Sequence, residues 1–273
     1  MKIHDQHVHS YYSFDCKQPI EDYLFAVEKL GLDYFVLTDH LDLNFLDENK
    51  DIDFDIVEQD KELKELQKKH PTLNILRGIE IGYKPTEIDR INKIINERHF
   101  DLINFSLHES DKIDYFVAES FIEKGIDNVL NIYFSRILEM VNNFDDYDVL
   151  CHIDYGFKTA YLIDNSISIK KYEDVITQIM KVVIDKNKTF ELNTKVQEVL
   201  PVEHTKYILD LYKKLGGKNL TISSDAHDVK RFRSSFDKYI PMIKEAGFDH
   251  LIYFVNRKKH FYLNPIKNTS SSN

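Results

Sequence analysis

Tryptophan is absent from this sequence, cysteine occurs only twice, and basic residues are fewer than acidic ones. Cys16 and Cys151 are too few for a disulfide framework, so we expect a cytoplasmic protein. The formal net charge of −10 argues against a basic surface that binds long nucleic acids. It does not exclude a small phosphorylated substrate, because bound metal ions can reverse the local sign of the charge.

Long apolar runs are also missing. No stretch approaches the ~20 apolar residues of a membrane span, and Lys2 to His4 are already strand-like, so we expect neither a membrane anchor nor a signal peptide. Of the 273 residues, 42% are hydrophobic and 30% are charged. This composition is typical of a globular α/β protein, and we expect one domain at residues 1–267 and a disordered polar tail at 268–273.

Strand-like and helix-like segments alternate along the chain. The pattern predicts strands at residues 2–8, 33–39, 74–80, 101–107, 147–153, 188–193, 219–224 and 251–255. It predicts helices at about 20–30, 56–69, 87–98, 119–143, 169–186, 201–215 and 238–246, and a long loop at 154–168. Seven β-then-α units favour a parallel sheet covered by helices, which is either open and doubly wound or closed into a barrel.

Histidines and carboxylates recur where these strands end. His7 and His9 lie two residues apart on the first strand, so both side chains face the same side and suit one metal ion. The later strand ends carry, in order, Asp39-His40, Glu80, His108, His152 and Asp225 with His227. In barrels the carboxyl ends of the strands hold the chemistry. The sequence therefore predicts a metal site at this edge of the sheet.

The order of these motifs resembles the polymerase-and-histidinol-phosphatase (PHP) superfamily over about residues 1–230. The shared signature is His-x-His, Thr-Asp-His, a Glu after the third strand, single histidines at strands four and five, and Asp-x-His. The resemblance implies an α/β fold, a distorted (β/α)7 TIM-like barrel with its metal site at the carboxyl ends of the strands. Two stretches, Cys151 to Tyr155 and Glu191 to Thr194, are most similar to monofunctional histidinol-phosphate phosphatases.

The resemblance also implies three divalent metal ions, for which Zn, Mn and Fe are all suitable. One ion would be held by His7, His9, Glu80 and Asp225. A second would share Glu80 and add His108 and His152. The third would be held by Asp15, His40 and His227, and relatives often have His at the position of Asp15. Three divalent ions outweigh the three carboxylates and leave a positive site that attracts phosphate.

The implied activity is the hydrolysis of L-histidinol phosphate to L-histidinol and phosphate in histidine biosynthesis, by attack of a metal-bridging hydroxide on phosphorus. A proton donor for the leaving alkoxide, or a partner that orients a ligand histidine, is expected among Asp154, Asp42 and Glu109. Phosphate contacts are expected from Lys158 and Lys195, which follow strands five and six. Contacts with the organic part of the substrate are expected from Tyr115 and Tyr161.

Two other functions remain compatible with these residues. The same site could act on a nucleotide or another small phosphoester, although the acidic composition and the lack of a basic stripe count against long nucleic acids. A non-catalytic metal-binding barrel is the second alternative. It is expected to lack ligands, whereas all nine ligand positions are filled here.

Overall fold

A computed structural model describes residues 2–262 of the chain. Its strands are β1 (Tyr34–Leu37), β2 (His40–Leu41), β3 (Asn74–Gly82), β4 (Leu102–Ser106), β5 (Glu109–Ser110), β6 (Ile113–Asp114), β7 (Val149–Leu150), β8 (Thr189–Asn193), β9 (Leu220–Ser223), β10 (Ile252–Val255) and β11 (Lys258–Phe261). Its α-helices are α1 (Ile20–Lys29), α2 (Ile56–Lys69), α3 (Ile88–Glu97), α4 (Ala118–Lys124), α5 (Ile126–Asn143), α6 (Tyr155–Ile163), α7 (Glu173–Asp185), α8 (Thr194–Gln197), α9 (Val202–Lys214) and α10 (Phe236–Glu245). The predicted tail at 268–273 lies outside the described residues.

One curled parallel sheet forms the wall of the molecule. Its strands follow the order β1, β3, β4, β7, β8, β9, and β2 pairs with the far end of β3. Every pairing within this sheet is parallel. The register places Glu80 of β3 between His40 of β2 and Asn104 of β4. Parallel pairing brings all carboxyl ends of the strands to one rim, and Glu80 lies there.

Residues 7–9 close the gap between β9 and β1. Val8 forms an isolated parallel bridge with Ala226. The His9 N–H donates to the Ala226 carbonyl at 2.9 Å, and the Thr38 N–H donates to the Val8 carbonyl at 2.8 Å. The strand predicted at 2–8 is therefore an extended segment and not a regular strand. With the six strands of the wall it makes a seventh element, which confirms the distorted (β/α)7 barrel.

The hairpin of β10 and β11 fills the amino-terminal end of the barrel. Ile252 and Phe254 of β10 are buried against residues near the starts of the wall strands, among them Leu76, Leu102 and Val149. The Phe254 N–H donates to Gln6 Oε1 at 2.9 Å. Apolar packing thus closes this end of the barrel, and the histidines and carboxylates that end the predicted strands lie at the opposite rim. None of the helices within residues 2–262 is long and apolar enough to cross a membrane.

Two predicted segments have a different structure. The helix predicted at 119–143 is divided into α4 and α5 at Gly125, whose φ of +84° is a conformation that L side chains rarely adopt. The loop predicted at 154–168 contains helix α6, which buries Phe157 and Ala160. The sequence of α6 is apolar around most of its circumference, so it lacks the one-sided pattern by which a surface helix is recognised.

Candidate metal centre

Glu80, at the carboxyl end of β3, is surrounded by five histidine side chains. Its Oε2 lies 2.9 Å from His40 Nδ1, 3.2 Å from His7 Nε2 and 3.4 Å from His9 Nε2. Its Oε1 lies 2.8 Å from Nε2 of His152 and 3.2 Å from Nε2 of His108. Each carboxylate oxygen thus faces its own set of imidazoles, which is the arrangement expected of a carboxylate that bridges two metal ions.

Asp225 and Asp15 extend this cluster on the side of His227. Asp225 Oδ1 lies 3.3 Å from His9 Nε2 and 3.4 Å from His227 Nδ1. Asp15 Oδ2 lies 3.0 Å from His227 Nε2, and Asp15 Oδ1 lies 3.8 Å from His40 Nε2. The structure therefore brings all nine ligands predicted from the sequence into one continuous cluster.

Several triads within the cluster have ligand atoms close enough to share one ion, since these atoms lie within 4.8 Å of one another. The triads are His7, His9 and Glu80; His40, Glu80 and His108; His7, His152 and Asp225; His9, His40 and His227; and His7, Cys151 and Glu191. The first four combine only predicted ligands. They show that the cluster has room for more than one metal position.

Unpaired polar atoms test whether the cluster fits metal ions. Within the described part of the chain, His7 Nε2, His9 Nε2, His40 Nδ1, His227 Nε2 and Glu80 Oε2 are buried and make no hydrogen bond. These atoms do lie 2.9–3.4 Å from polar atoms of the same cluster, but at angles that do not suit hydrogen bonds. Five such atoms face one another here, and all of them are nitrogen or oxygen donors of the kind that divalent transition metals bind. The residues present therefore fit a divalent metal site.

Hydrogen bonds on the far side of the imidazoles fix how these rings point. His108 Nδ1 lies 2.7 Å from Asp42 Oδ1, and His7 Nδ1 lies 2.8 Å from Glu191 Oε1. Glu191 also accepts the His152 backbone N–H at 2.8 Å. A carboxylate on one ring nitrogen directs the other nitrogen toward the metal. Glu191 lies in β8, two residues before its carboxyl end, as Glu80 lies two residues before the end of β3, and this position is the signal that could have identified it.

Asp39 orients a histidine of the cluster indirectly, through the hydroxyl of Ser13. It accepts hydrogen bonds from Ser13 Oγ at 2.7 Å and from Gln59 Nε2 at 2.7 Å. Ser13 Oγ in turn lies 3.1 Å from His9 Nδ1. The sequence places Asp39 next to His40, but it does not show that its carboxylate turns away from the metal cluster.

The electrostatics of the cluster favour an ionised Glu80 and a neutral His9, whereas carboxylates beside His7, His40 and His108 outweigh burial and raise the pKa of these three imidazoles, so that metal binding there displaces protons. Burial raises the pKa of Glu80, but His7, His108 and His40 outweigh it and hold this pKa well below its ordinary value. Burial lowers the pKa of His9 well below its ordinary value, and the neighbouring His40 and His227 lower it further. An ionised carboxylate and a neutral imidazole are the forms that bind a metal ion.

A cavity of about 250 Å³ opens directly above the cluster. Lys158, Lys195 and Tyr155 line it together with several of the predicted ligands. Lys158 Nζ lies 4.2 Å from the centre of the Tyr155 ring, and burial, followed by the charge of Lys195, lowers the pKa of Lys158 to about 8. Lys195 Nζ lies 3.2 Å from Asp225 Oδ1. Both predicted phosphate ligands therefore reach the cavity.

Of the three residues predicted as acids or orienting partners, only Asp42 lines the cavity. Asp154 is buried behind it and accepts hydrogen bonds from Gln197 and His204, both at 2.7 Å. Glu109 turns away from its neighbour His108 and lies 2.6 Å from Lys84 Nζ. The structure thus corrects the expected positions of Asp154 and Glu109. For Glu109 the reason is that residues adjacent in an extended segment point in opposite directions. Asp154 immediately precedes α6 and turns toward Gln197 and His204.

The two tyrosines predicted to contact the substrate are also outside the cavity. Tyr115 is fully buried, and its hydroxyl lies 2.5 Å from Ser110 Oγ. Tyr161 lies on α6 and lines a separate pocket beside His204. Four residues that were not predicted line the cavity in their place: Phe14, Phe45, Asp114 and Phe116. They lie in loops, a short turn and the two-residue strand β6, where the sequence carries no periodicity that would show which side chains point inward.

An α/β barrel with a histidine and carboxylate cluster at the carboxyl ends of its strands defines a metalloenzyme of the barrel class. The PHP domain family matches residues 5–195 of the chain. The chain belongs to this family, and the resemblance seen in the sequence is confirmed.

Characterised relatives match over nearly the whole chain. Histidinol-phosphatase of Lactococcus lactis subsp. lactis (strain IL1403) is 29% identical over 263 residues, which cover 94% of this chain and 96% of the relative. Probable histidinol-phosphatase of Clostridium acetobutylicum is 33% identical over 253 residues, which cover 92% and 96%.

A solved structure gives the same result for the fold. The crystal structure of histidinol phosphate phosphatase from Lactococcus lactis, complexed with Zn, L-histidinol and phosphate, superposes with a TM-score of 0.84 at 27% sequence identity. The match covers 95% of this chain and 99% of that one.

Proposed function

We propose that this protein is a metal-dependent phosphomonoesterase that hydrolyses L-histidinol phosphate to L-histidinol and phosphate. The observation that carries the proposal is Glu80 with its five histidines, beneath a cavity that two lysines line. The relatives support the choice of substrate, because they are histidinol-phosphatases that match over more than nine-tenths of the chain. Both cysteines are free, which suits the reducing cytoplasm where we place the reaction.

Three divalent ions are part of the proposal. We assign one to His7, His9, Glu80 and Asp225, a second to Glu80, His108 and His152, and a third to Asp15, His40 and His227. Zinc is supported by the Lactococcus lactis structure, and Mn and Fe suit the same donors. When bound, such ions supply Lewis-acid catalysis: they lower the pKa of a water nucleophile and offset the charge of the phosphoryl oxygens.

The side chains around the cavity hold the substrate in this proposal. Lys158 and Lys195 pair with the phosphate oxygens, since a lysine ammonium is a compact point charge that suits phosphate. Asp42 keeps His108 oriented and does not serve as an acid, because its carboxylate is engaged with that ring. Asp114 brings a carboxylate to the cavity wall, where it can pair with the ammonium group of histidinol. Tyr155 and Phe116 offer flat apolar surfaces to the imidazole.

A nucleotide or another small phosphoester is the second candidate substrate. The cavity wall contains four aromatic side chains, Phe14, Phe45, Phe116 and Tyr155, and such a wall also suits a nucleobase. A nucleobase has no ammonium group to pair with Asp114. A nucleotide substrate therefore leaves the carboxylate of Asp114 without a partner on the substrate.

Phosphate release from a panel of monoesters tests the proposal. The protein, loaded with Zn or Mn, is assayed on L-histidinol phosphate, a nucleoside monophosphate and 4-nitrophenyl phosphate. We expect kcat/KM for histidinol phosphate to be higher by on the order of 100-fold, because charged groups that stay unpaired with the wrong substrate are costly. Equal values across the panel contradict the substrate assignment, and no release from any ester contradicts the phosphatase assignment.

A further inference from the structure

The two lysines of the cavity come from different helices. Lys158 lies in the first turn of α6, and Lys195 lies in the single-turn helix α8. Helix α8 directly follows β8, and α6 begins at Tyr155 shortly after β7 ends at Leu150. The sheet therefore fixes where each helix starts, and contacts between the helices complete the separation of the two ammonium groups. A phosphate group gains most from two cations when both are held at a fixed position before it binds.

One buried carboxylate connects these helices. Asp154 immediately precedes α6, and its side chain is 2% exposed. Its Oδ2 accepts one hydrogen bond from Gln197 Nε2 of α8 and one from His204 Nε2 of α9, both at 2.7 Å. Its backbone carbonyl accepts the N–H of Lys158 at 2.9 Å. The residue is therefore linked to both lysine-bearing helices at once.

Further contacts hold the two donors, Gln197 and His204, in place. The Oε1 atom of Gln197 accepts the Thr205 hydroxyl at 2.7 Å. The ring of His204 stacks on Phe157 of α6, with ring centres 5.2 Å apart. Burial raises the pKa of Asp154, but the bonds from His204 and Gln197 outweigh this effect and leave the pKa below its ordinary value. A buried carboxylate with satisfied partners confers a defined geometry at little or no gain in stability.

We infer that Asp154, Gln197 and His204, here named the Asp154 clamp, set the spacing between Lys158 and Lys195 and thereby determine how tightly the site binds a phosphate group. The three residues are positioning residues, since Asp154 and its two donors act through the lysines without touching the substrate. The inference rests on the proposed function, in which the lysines bind phosphate. It gives Asp154 a role other than proton donor.

Inorganic phosphate is the probe that tests the clamp. Its dissociation constant is measured by titration calorimetry on the metal-loaded protein and on Asp154→Asn, which keeps the shape but replaces the charged oxygen that both donors share with a neutral and weaker acceptor. We expect phosphate to bind about tenfold more weakly. His204→Leu removes one donor and should have a similar effect. His204→Gln keeps an N–H at the same reach and should bind phosphate within about twofold of wild type.

A double-mutant cycle separates the clamp from a general loss of structure. When Lys158 and Lys195 are both replaced by Gln, Asp154→Asn should weaken phosphate binding no further, because the groups it positions are gone. The control is His70→Leu. In the wild type, His70 at the end of α2 lies 2.8 Å from Glu28 of α1, and the substitution removes this link between two helices that carry neither lysine. It should leave phosphate affinity unchanged even where it lowers the melting temperature.

Metal content gives the outcome that overturns the inference. Asp154 lies two residues from His152, so the amount of bound metal is measured for each variant. Loss of metal in Asp154→Asn, or a loss of phosphate affinity that persists in the Lys158 and Lys195 double variant, contradicts the clamp. Phosphate binding does not depend on which ester is the substrate. A wild-type protein that ignores histidinol phosphate but shows the expected phosphate affinities therefore refutes the substrate and not the clamp.

Discussion

Two of the predicted ligands have backbone conformations that residues other than glycine rarely adopt. His152 has a φ of +22° and Asp225 a φ of +50°. Such conformations cost about 1–3 kcal/mol each and persist only where the surroundings enforce them. At His152 the backbone N–H is held by Glu191 at 2.8 Å. Each residue lies two positions after the end of a short strand, so the unusual φ turns the chain at the rim, where His152 faces Glu80 and Asp225 faces His9.

Lys158 provides a pH dependence at the scale of a single residue. Burial, with the neighbouring Lys195, lowers its pKa to about 8, so its positive charge is present below that pH and is lost above it. We expect KM for the phosphate ester to rise as the pH passes about 8, with a smaller change in kcat, because a cation that binds phosphate in the ground state is being removed. Initial rates measured across pH 6–10 test this.

Lys158→Arg is the matched variant for this pH dependence. A guanidinium remains protonated above pH ~12, so the rise of KM near pH 8 should disappear in Lys158→Arg. If the rise persists unchanged in this variant, the titrating group is not Lys158.

The clustering of the predicted ligands could be foreseen from the sequence, because it follows from their positions at the ends of successive strands. A histidine or carboxylate at the end of a predicted strand lies at the rim whatever the angles of the loops, so His7 and His227 were both placed there although they are 220 positions apart. The substrate side could not be predicted in the same way. Tyr115 and Asp114 are neighbours, yet Asp114 lines the cavity and Tyr115 is buried away from it.

At the scale of the element, the end of β3 leaves no room for a side chain at Gly82. A methyl group there would lie 1.8 Å from Asp42 Oδ1, the atom that holds His108 Nδ1. Gly82→Ala should therefore displace Asp42, release the His108 ring and lower kcat/KM by about tenfold or more. The measurement is kcat/KM together with bound metal.

Gly216→Ala serves as the control for Gly82→Ala. Gly216 has a φ of +94° and open space around its α-carbon, so alanine is strained there but touches nothing. We expect a destabilisation of about 1 kcal/mol without loss of activity. Equal loss of activity in both variants would attribute the effect to stability and not to Asp42.

Elements were predictable where a periodic pattern and its end signals agree. Helix α2 was predicted at its observed bounds: Asp55 caps its first turn by accepting the N–H groups of Val57 and Glu58, and lysines fill its last turn. Helix α6 has no side-chain cap and is packed on several sides, so the sequence around it is indistinguishable from that of a loop. The extended segment at residues 7–9 was predicted as a strand because its composition is that of a strand, whereas its pairing is limited to one bridge.

At the scale of the whole molecule, metal ions should stabilise the fold. Bound ions satisfy the unpaired atoms of the cluster, and ligands that bind only the folded state stabilise it by mass action. Removing metal with a strong chelator should lower the melting temperature by about 5–10 °C and abolish activity, and adding Zn or Mn should restore both. Differential scanning calorimetry and phosphate release provide the two readouts.

Glu80→Gln is the control for this stabilisation. It keeps the shape of the side chain but removes the charge that faces five histidines. Chelator should change its melting temperature little, because the variant has lost most of its metal affinity. A chelator effect as large as that of the wild type would contradict the central place of Glu80 in the cluster.

The bridge between Val8 and Ala226 has a consequence for the kinetics of folding. It joins residues 218 positions apart, so the barrel closes only when the two ends of the sheet find each other, and contacts of such high contact order form slowly. His7 and His9 reach the rim only through this closure. Capture of metal by the complete cluster therefore follows closure of the barrel, and the rate at which an unfolded chain regains its ions reports the last step of folding and not the first.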